Sequence, residues 1–158
     1  MVKPRFTFMP GEKPLIFTIP GEPVGKARPR FVRRGNSVST YTPKQTATYE
    51  RAVKYYFRLA HRDPAQLRGP ISVKITAILG VPLSGSKLGN GRKLSGITRP
   101  TKKPDADNIL KVICDSLNNV AWRDDAQVVE ACISKHYGPE PRVVVEIIEL
   151  NGGVPCES

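Results

Sequence analysis

The chain has 158 residues, which suits one compact domain able to bury a core without disulfide or metal staples. No stretch reaches the roughly 18 apolar residues of a membrane span. Residues 1–21 carry no continuous apolar run of the secretory kind, so a cytoplasmic protein is expected. The formal net charge of +11 is unevenly placed: residues 1–104 hold 21 Lys and Arg against 4 Asp and Glu, residues 105–158 hold 4 against 10. A basic body of this kind attracts polyanions, and its compact acidic locus is unlike a plain solvated surface.

Residues 1–14 are basic and proline-containing and read as an irregular extension. Leu15-Ile16-Phe17-Thr18-Ile19 is a short apolar run closed by Pro20-Gly21, hence a strand. Residues 22–41 are rich in Gly, Pro and Arg and read as a loop or hairpin. Thr42-Pro43 then opens a helical pattern, with Thr42 as N-cap and Pro43 in the first position. Tyr49, Ala52, Val53, Tyr56, Phe57 and Ala60 recur on one face, which carries the helix to about His61.

Pro70 introduces a strand over residues 71–81, with Ile71, Val73, Ile75 and Ala77 alternating. Residues 82–104 form a long Gly, Ser, Lys and Arg segment with little apolar content, read as a functional loop. A second helix is expected from about Asp107 to Asn118, its apolar face made by Ile109, Leu110, Ile113 and Leu117. Residues 127–135 and 142–150 read as a final pair of strands joined by a turn around Gly138-Pro139, and residues 151–158 as a tail. The fold class is therefore α/β in the α+β sense: one domain over residues 15–150, a mixed β-sheet packed with two main helices. Cys114, Cys132 and Cys156 are odd in number and widely spaced, which speaks against a disulfide framework or a zinc site. His61 and His136 are isolated and read as surface or structural residues.

Five of the six aspartates lie between residues 105 and 125: Asp105, Asp107, Asp115, Asp124 and Asp125. Asp105 and Asp107 sit where a loop meets a helix N-terminus, and a tight exit turn would bring Asp124-Asp125 back toward them. Converging carboxylates repel, so a hard divalent cation such as Mg²⁺ is their natural occupant. Such an ion acidifies bound water and neutralises charge on phosphate. Lys111 lies one helical turn beyond Asp107 and can share its face. Plainer readings exist for each: Asp107 as an N-cap, Lys111 with Asp107 and Asp115 as a surface charge network, Asp124-Asp125 as a turn.

The acidic segment, read as Asp105-Ala106-Asp107-Asn108-Ile109-Leu110-Lys111, then Asp115-Ser116-Leu117, then Asp124-Asp125-Ala126-Gln127-Val128, resembles the RusA family of Holliday junction resolvases. Its pattern is D-x-D-N-x-x-K, D-x-L and D-D-x-Q-V. Ile19-Pro20-Gly21-Glu22-Pro23 and Gly25-Lys26-Ala27-Arg28-Pro29-Arg30-Phe31 are similar to its phage and prophage branch, and the resemblance spans about residues 15–150. It implies that Asp105, Asp107 and Asp125 bind metal, with Asp124 the less certain neighbour, and that Lys111 is catalytic. Asp115 would support Lys111 by hydrogen bonding. It further implies a homodimer that uses Mg²⁺, with Mn²⁺ as a substitute, needs no small-molecule cofactor, and cuts four-way DNA in recombination and repair within a bacterial or phage-infected cell.

No acid occurs between Glu22 and Glu50, nor between Asp63 and Asp105. The candidate DNA contacts in these intervals are Lys26, Arg28, Arg30, Arg33, Arg34, Arg99, Lys102 and Lys103, with Phe31 and Tyr41 available to stack on an exposed base. Neither interval resembles a major-groove recognition helix. Two rivals remain: a branched-DNA-binding protein without catalysis, and a metal phosphohydrolase acting on small nucleotides.

Overall fold

The computed structural model describes residues 13–62 and 64–150. The extension before residue 13, the tail after residue 150 and Cys156 lie outside the described residues. Strand β1 (Leu15–Pro20) is followed by a hairpin of β2 (Arg30–Arg34) and β3 (Ser37–Tyr41), then helix α1 (Lys44–Ala60) and strand β4 (Ile71–Gly80). Helix α2 (Lys87–Leu94), helix α3 (Ala106–Leu117), a single 3₁₀ turn (Asp125–Gln127), β5 (Val128–Gly138) and β6 (Arg142–Glu149) follow within the described residues.

The main sheet has the order β1-β6-β4-β5. Strands β4 and β5 run parallel, while β6 is antiparallel to both β4 and β1. The last two strands are thus joined in sequence but are not neighbours, which corrects the expectation of a terminal strand pair. The chain passes the end of β4 between them. There a Cβ on Gly138 would lie 2.6 Å from Ile78 Cγ2, so the close approach requires glycine.

Alternation decides which face of the sheet is covered. Phe17, Ile19, Val73, Ile75, Ala77, Val143, Val145 and Ile147 are buried on one face. Against them pack Tyr49, Val53 and Phe57 of α1 and Ile109, Val112, Ile113 and Leu117 of α3. The result is one helical layer on a mixed sheet, the α+β arrangement expected. On the other face Lys74 and Glu146 are register partners 3.1 Å apart, a half-exposed pair of small energetic weight.

Two local expectations need correction. Helix α1 starts one residue later than the Thr42 cap predicts: Pro43 occupies the cap position and supplies no side-chain bond. The segment 82–104 is not all loop. Ser86 caps α2 by accepting from the Gly89 N–H at 3.1 Å, although Gly89 and Gly91 disfavour a helix. No residue of α2 is buried, so periodicity left no trace of it. Helix α2 and the chain after it lie against β5: Arg99 Nε donates to the Lys135 carbonyl at 3.1 Å, and Lys93 and Lys102 stand over the Tyr137 ring.

Candidate active site and nucleic-acid interface

Helix α3 positions the first acidic group. Asp105 is its N-cap, extended at φ −71° and ψ 148°, and its carboxylate makes no cap hydrogen bond. An exposed carboxylate left free at a helix N-terminus, where the partial charge is positive, is available to a ligand. Asp107 lies in the first turn and Lys111 one turn on, both exposed. The helix itself is fixed by six buried residues, so these side chains project from a rigid support.

The chain turns sharply on leaving α3. Asn119 adopts φ 58°, a left-handed conformation that asparagine tolerates. The Val120 and Ala121 amides both donate to the Leu117 carbonyl. Trp122 is fully buried, and its Nε1 donates to Asn118 Oδ1 at 3.0 Å. The next residues are pinned by Gln127: its Oε1 accepts from the Arg123 and Asp124 amides, and its Nε2 donates to the carbonyls of Leu67 and Gly69 at 3.1 Å each. Asp124 is committed to the turn, since its Oδ1 accepts from the Ala126 amide at 2.8 Å within a capping box. Asp124 is thus part of the turn, with its other carboxylate oxygen exposed. Asp125 is half-buried and lies near Cys114 of α3, where its charge is felt. Burial first, then Asp125 and Asp115, push the Cys114 thiol up to about 12.

Among the described residues, no three or more His, Cys, Asp or Glu side chains form a group that could hold a metal ion, so Asp105, Asp107 and Asp125 are not gathered into one. The available donors are nonetheless hard carboxylate oxygens, the kind that Mg²⁺ prefers.

The basic residues divide into three groups. Lys26 is not a free cation: its Nζ lies 2.5 Å from Glu50 Oε1 and 3.1 Å from Asp115 Oδ2. This corrects one expectation: Asp115 pairs with Lys26 and not with Lys111. Burial alone would lower the Lys26 pKa, but the hydrogen bonds and charges of Glu50 and Asp115 prevail and raise it. The pairing forms because the Lys26 amide donates to the Asn108 carbonyl at 2.9 Å, laying this loop across α3. Gly25 permits the approach: a Cβ there would lie 3.1 Å from both Pro104 and Asn108. Glu50 is 24 residues from Lys26 in sequence, and no local spacing announces the pair.

Arg28, Arg30, Lys103 and Asp105, with the paired Lys26, line one open cleft of about 680 Å³ between this loop and the start of α3. Arg33 and Arg34 end β2 beyond it. Arg99 and Lys102 lie instead along β5, where Arg99 also meets His136 Nε2 at 3.3 Å. Burial and then the Arg99 charge lower the His136 pKa. His61 Nε2 bonds to the Ile16 carbonyl at 3.0 Å, consistent with a structural role for both histidines.

The family model described as endodeoxyribonuclease RusA matches residues 20–148, which include the cleft, α3 and the Gln127 turn. YqaN of Bacillus subtilis (strain 168), described as an uncharacterized protein, is 37% identical over 140 residues, covering 85% of this chain and 96% of its own.

Proposed function

The chain belongs to the RusA family of endodeoxyribonucleases, and on that premise we propose that it hydrolyses phosphodiester bonds of four-way DNA junctions. The observation that carries this reading is the shared cleft, in which Asp105 faces the same space as Arg28, Arg30 and Lys103. A small-nucleotide hydrolase has no use for a cleft continued by Arg33 and Arg34 on a basic hairpin, whereas a DNA backbone spans that distance.

Asp105 and Asp107 would hold Mg²⁺, with Mn²⁺ as its substitute and Asp125 as the third carboxylate of the set. Mg²⁺ typically takes one or two carboxylates and completes its shell with water and substrate phosphate, so a full protein cage is not required. When bound, the ion supplies an acidified water and neutralises charge on the phosphate. Arg28, Arg30 and Lys103 hold the backbone against the cleft wall. Lys111, exposed on the same helix as Asp107, donates to the phosphate oxygens as their charge develops. Gln127 and Trp122 act at a distance by fixing the turn that presents Asp125.

A homodimer with two-fold symmetry would place two such clefts on the symmetry-related strands of a junction, and paired nicks would then yield two intact duplexes. Such substrates arise during recombination and repair in the cytoplasm of a bacterial or phage-infected cell. Among the described residues, no helix is long and apolar enough to cross a membrane.

The test incubates the protein with a synthetic mobile four-way junction, with and without Mg²⁺, beside Asp107→Asn. Paired, Mg²⁺-dependent nicks by the wild type alone are expected. Tight junction binding without any cutting supports a non-catalytic branched-DNA-binding protein instead. Cleavage by Asp107→Asn equal to that of the wild type removes the proposed site.

A further inference from the structure

The β2–β3 hairpin stands apart from the core. All ten of its strand residues are exposed, and among the described residues it pairs with no other strand. An uncovered two-stranded hairpin is marginally stable in water. This one nevertheless exposes Phe31 at 74% and Val38 at 64%, together with Tyr41 and Val32. Its register pairs Phe31 with Thr40 and Arg33 with Val38. Phe31, Arg33, Val38 and Thr40 therefore share one face, while Arg30, Val32, Arg34, Ser39 and Tyr41 share the other.

The base of the hairpin is anchored. The Lys26 amide bonds to Asn108, and the Ala27 amide donates to Thr46 Oγ1 at 3.4 Å. Arg30, the first residue of β2, lies in the wall of the cleft that holds Asp105. The hairpin therefore begins in the wall of the candidate active-site cleft.

We propose that Phe31 stacks on a base left unstacked at the branch point of the DNA, so that the hairpin is the element that senses branching. This rests on the reading of the protein as a junction nuclease. Charge identifies the occupant as nucleic acid: the hairpin carries Arg30, Arg33 and Arg34, and no acid falls between Glu22 and Glu50. The exposed aromatic identifies the feature read. In a linear duplex every base face is covered by its neighbours, so Phe31 has nothing to stack on. At a branch the stack is interrupted, and an aromatic side chain can take the vacant place. The flanking arginines hold phosphates of any sequence. Together they distinguish structure without reading sequence.

The full-length protein is titrated against a four-way junction carrying 2-aminopurine at the branch point, and against a linear duplex with the probe in the same sequence. Divalent ions are omitted so that nothing is cut. The wild type should change the probe fluorescence on the junction alone. Phe31→Ala should abolish that change and weaken junction binding by about 5- to 150-fold, the range for loss of one stacked aromatic, with duplex affinity unchanged. Phe31→Trp should restore both. Because Phe31 is three-quarters exposed, neither substitution disturbs the core, and unaltered melting temperatures check this. Undiminished junction preference and fluorescence change in Phe31→Ala overturn the assignment. So does equal weakening on junction and duplex, which marks a general contact. A wild type that shows no junction preference at all overturns the junction reading itself, a result distinct from a junction-selective wild type matched by Phe31→Ala.

Discussion

The Lys26 ammonium stands 3.1 Å from the Asp115 carboxylate, and this contact ties the loop before the basic hairpin to the helix that carries Asp107 and Lys111. Glu50 of α1 closes the same ion pair from the other side. Both partners of the Lys26–Asp115 contact are roughly three-quarters shielded from solvent. Lys26→Met should therefore destabilise the fold by about 1–2 kcal/mol, between the values for exposed and buried pairs. Urea unfolding measures this. A variant as stable as the wild type would show that the network holds nothing together.

Asp105→Asn and Asp107→Asn should each reduce junction cleavage by at least about 100-fold, the scale for loss of a charged group that acts on the transition state. Junction binding should be retained or strengthened, because a negative charge facing phosphate is removed. Gel-shift and cleavage assays on the same preparations separate the two effects. Parallel losses of binding and cleavage would contradict a catalytic role.

Arg28→Ala, Arg30→Ala and Lys103→Ala should each flatten the salt dependence of DNA binding by about one unit of logarithmic slope. Lys26→Ala should leave that slope unchanged, because its ammonium is already paired inside the protein. Fluorescence anisotropy over a series of salt concentrations distinguishes them. An equal change for Lys26 would mean that its ion pairs open on binding.

Gln127→Ala removes two accepted and two donated hydrogen bonds at the turn that presents Asp125. A stability loss of about 1–3 kcal/mol is expected, with slower cleavage at saturating junction concentration. Asp124→Asn, which keeps an oxygen to accept from the Ala126 amide, should be much milder on both counts. The reverse ranking would make Asp124 the functional carboxylate of the pair.

Alkaline pH should weaken the fold. Burial raises the Cys114 thiol from 9.0 to about 12 and raises the Tyr49 phenol as well, while Lys26 is raised by its acidic partners. In each case the folded state keeps a proton that the unfolded chain releases sooner. The Cys114 contribution is complete below about pH 9 and is lost progressively toward about pH 12. Urea unfolding at a series of pH values should show a shallower decline for Cys114→Ala, and a thiol reagent should label half-buried Cys132 well before Cys114. Identical pH profiles would remove Cys114 as a contributor.

Most of the strands and both long helices were legible in the sequence because each buries one face, and burial imprints its period on the residues. The run Phe17 to Ile19, the alternation from Ile71 to Ala77 and the stripe from Ile109 to Leu117 all had to be apolar where the core lies. The acidic residues of α3 were legible for a related reason: Asp105, Asp107 and Lys111 occupy one helix start, and local spacing sets their relationship. Helix α2 was not legible, since it buries nothing. Nor was the strand order, because the insertion of β4 between β5 and β6 is settled by which edges meet and not by any period along the chain. The sequence by itself determined the elements that bury a face, the basic body and the acidic locus. Only the tertiary structure decided which charges are paired with one another. It pairs Lys26 with Glu50 and Asp115, bonds Asp124 within its own turn, and sets Asp105 in one cleft with Arg28, Arg30 and Lys103. A charge's availability depends on partners far away in sequence, and those partners meet it only when the chain has folded.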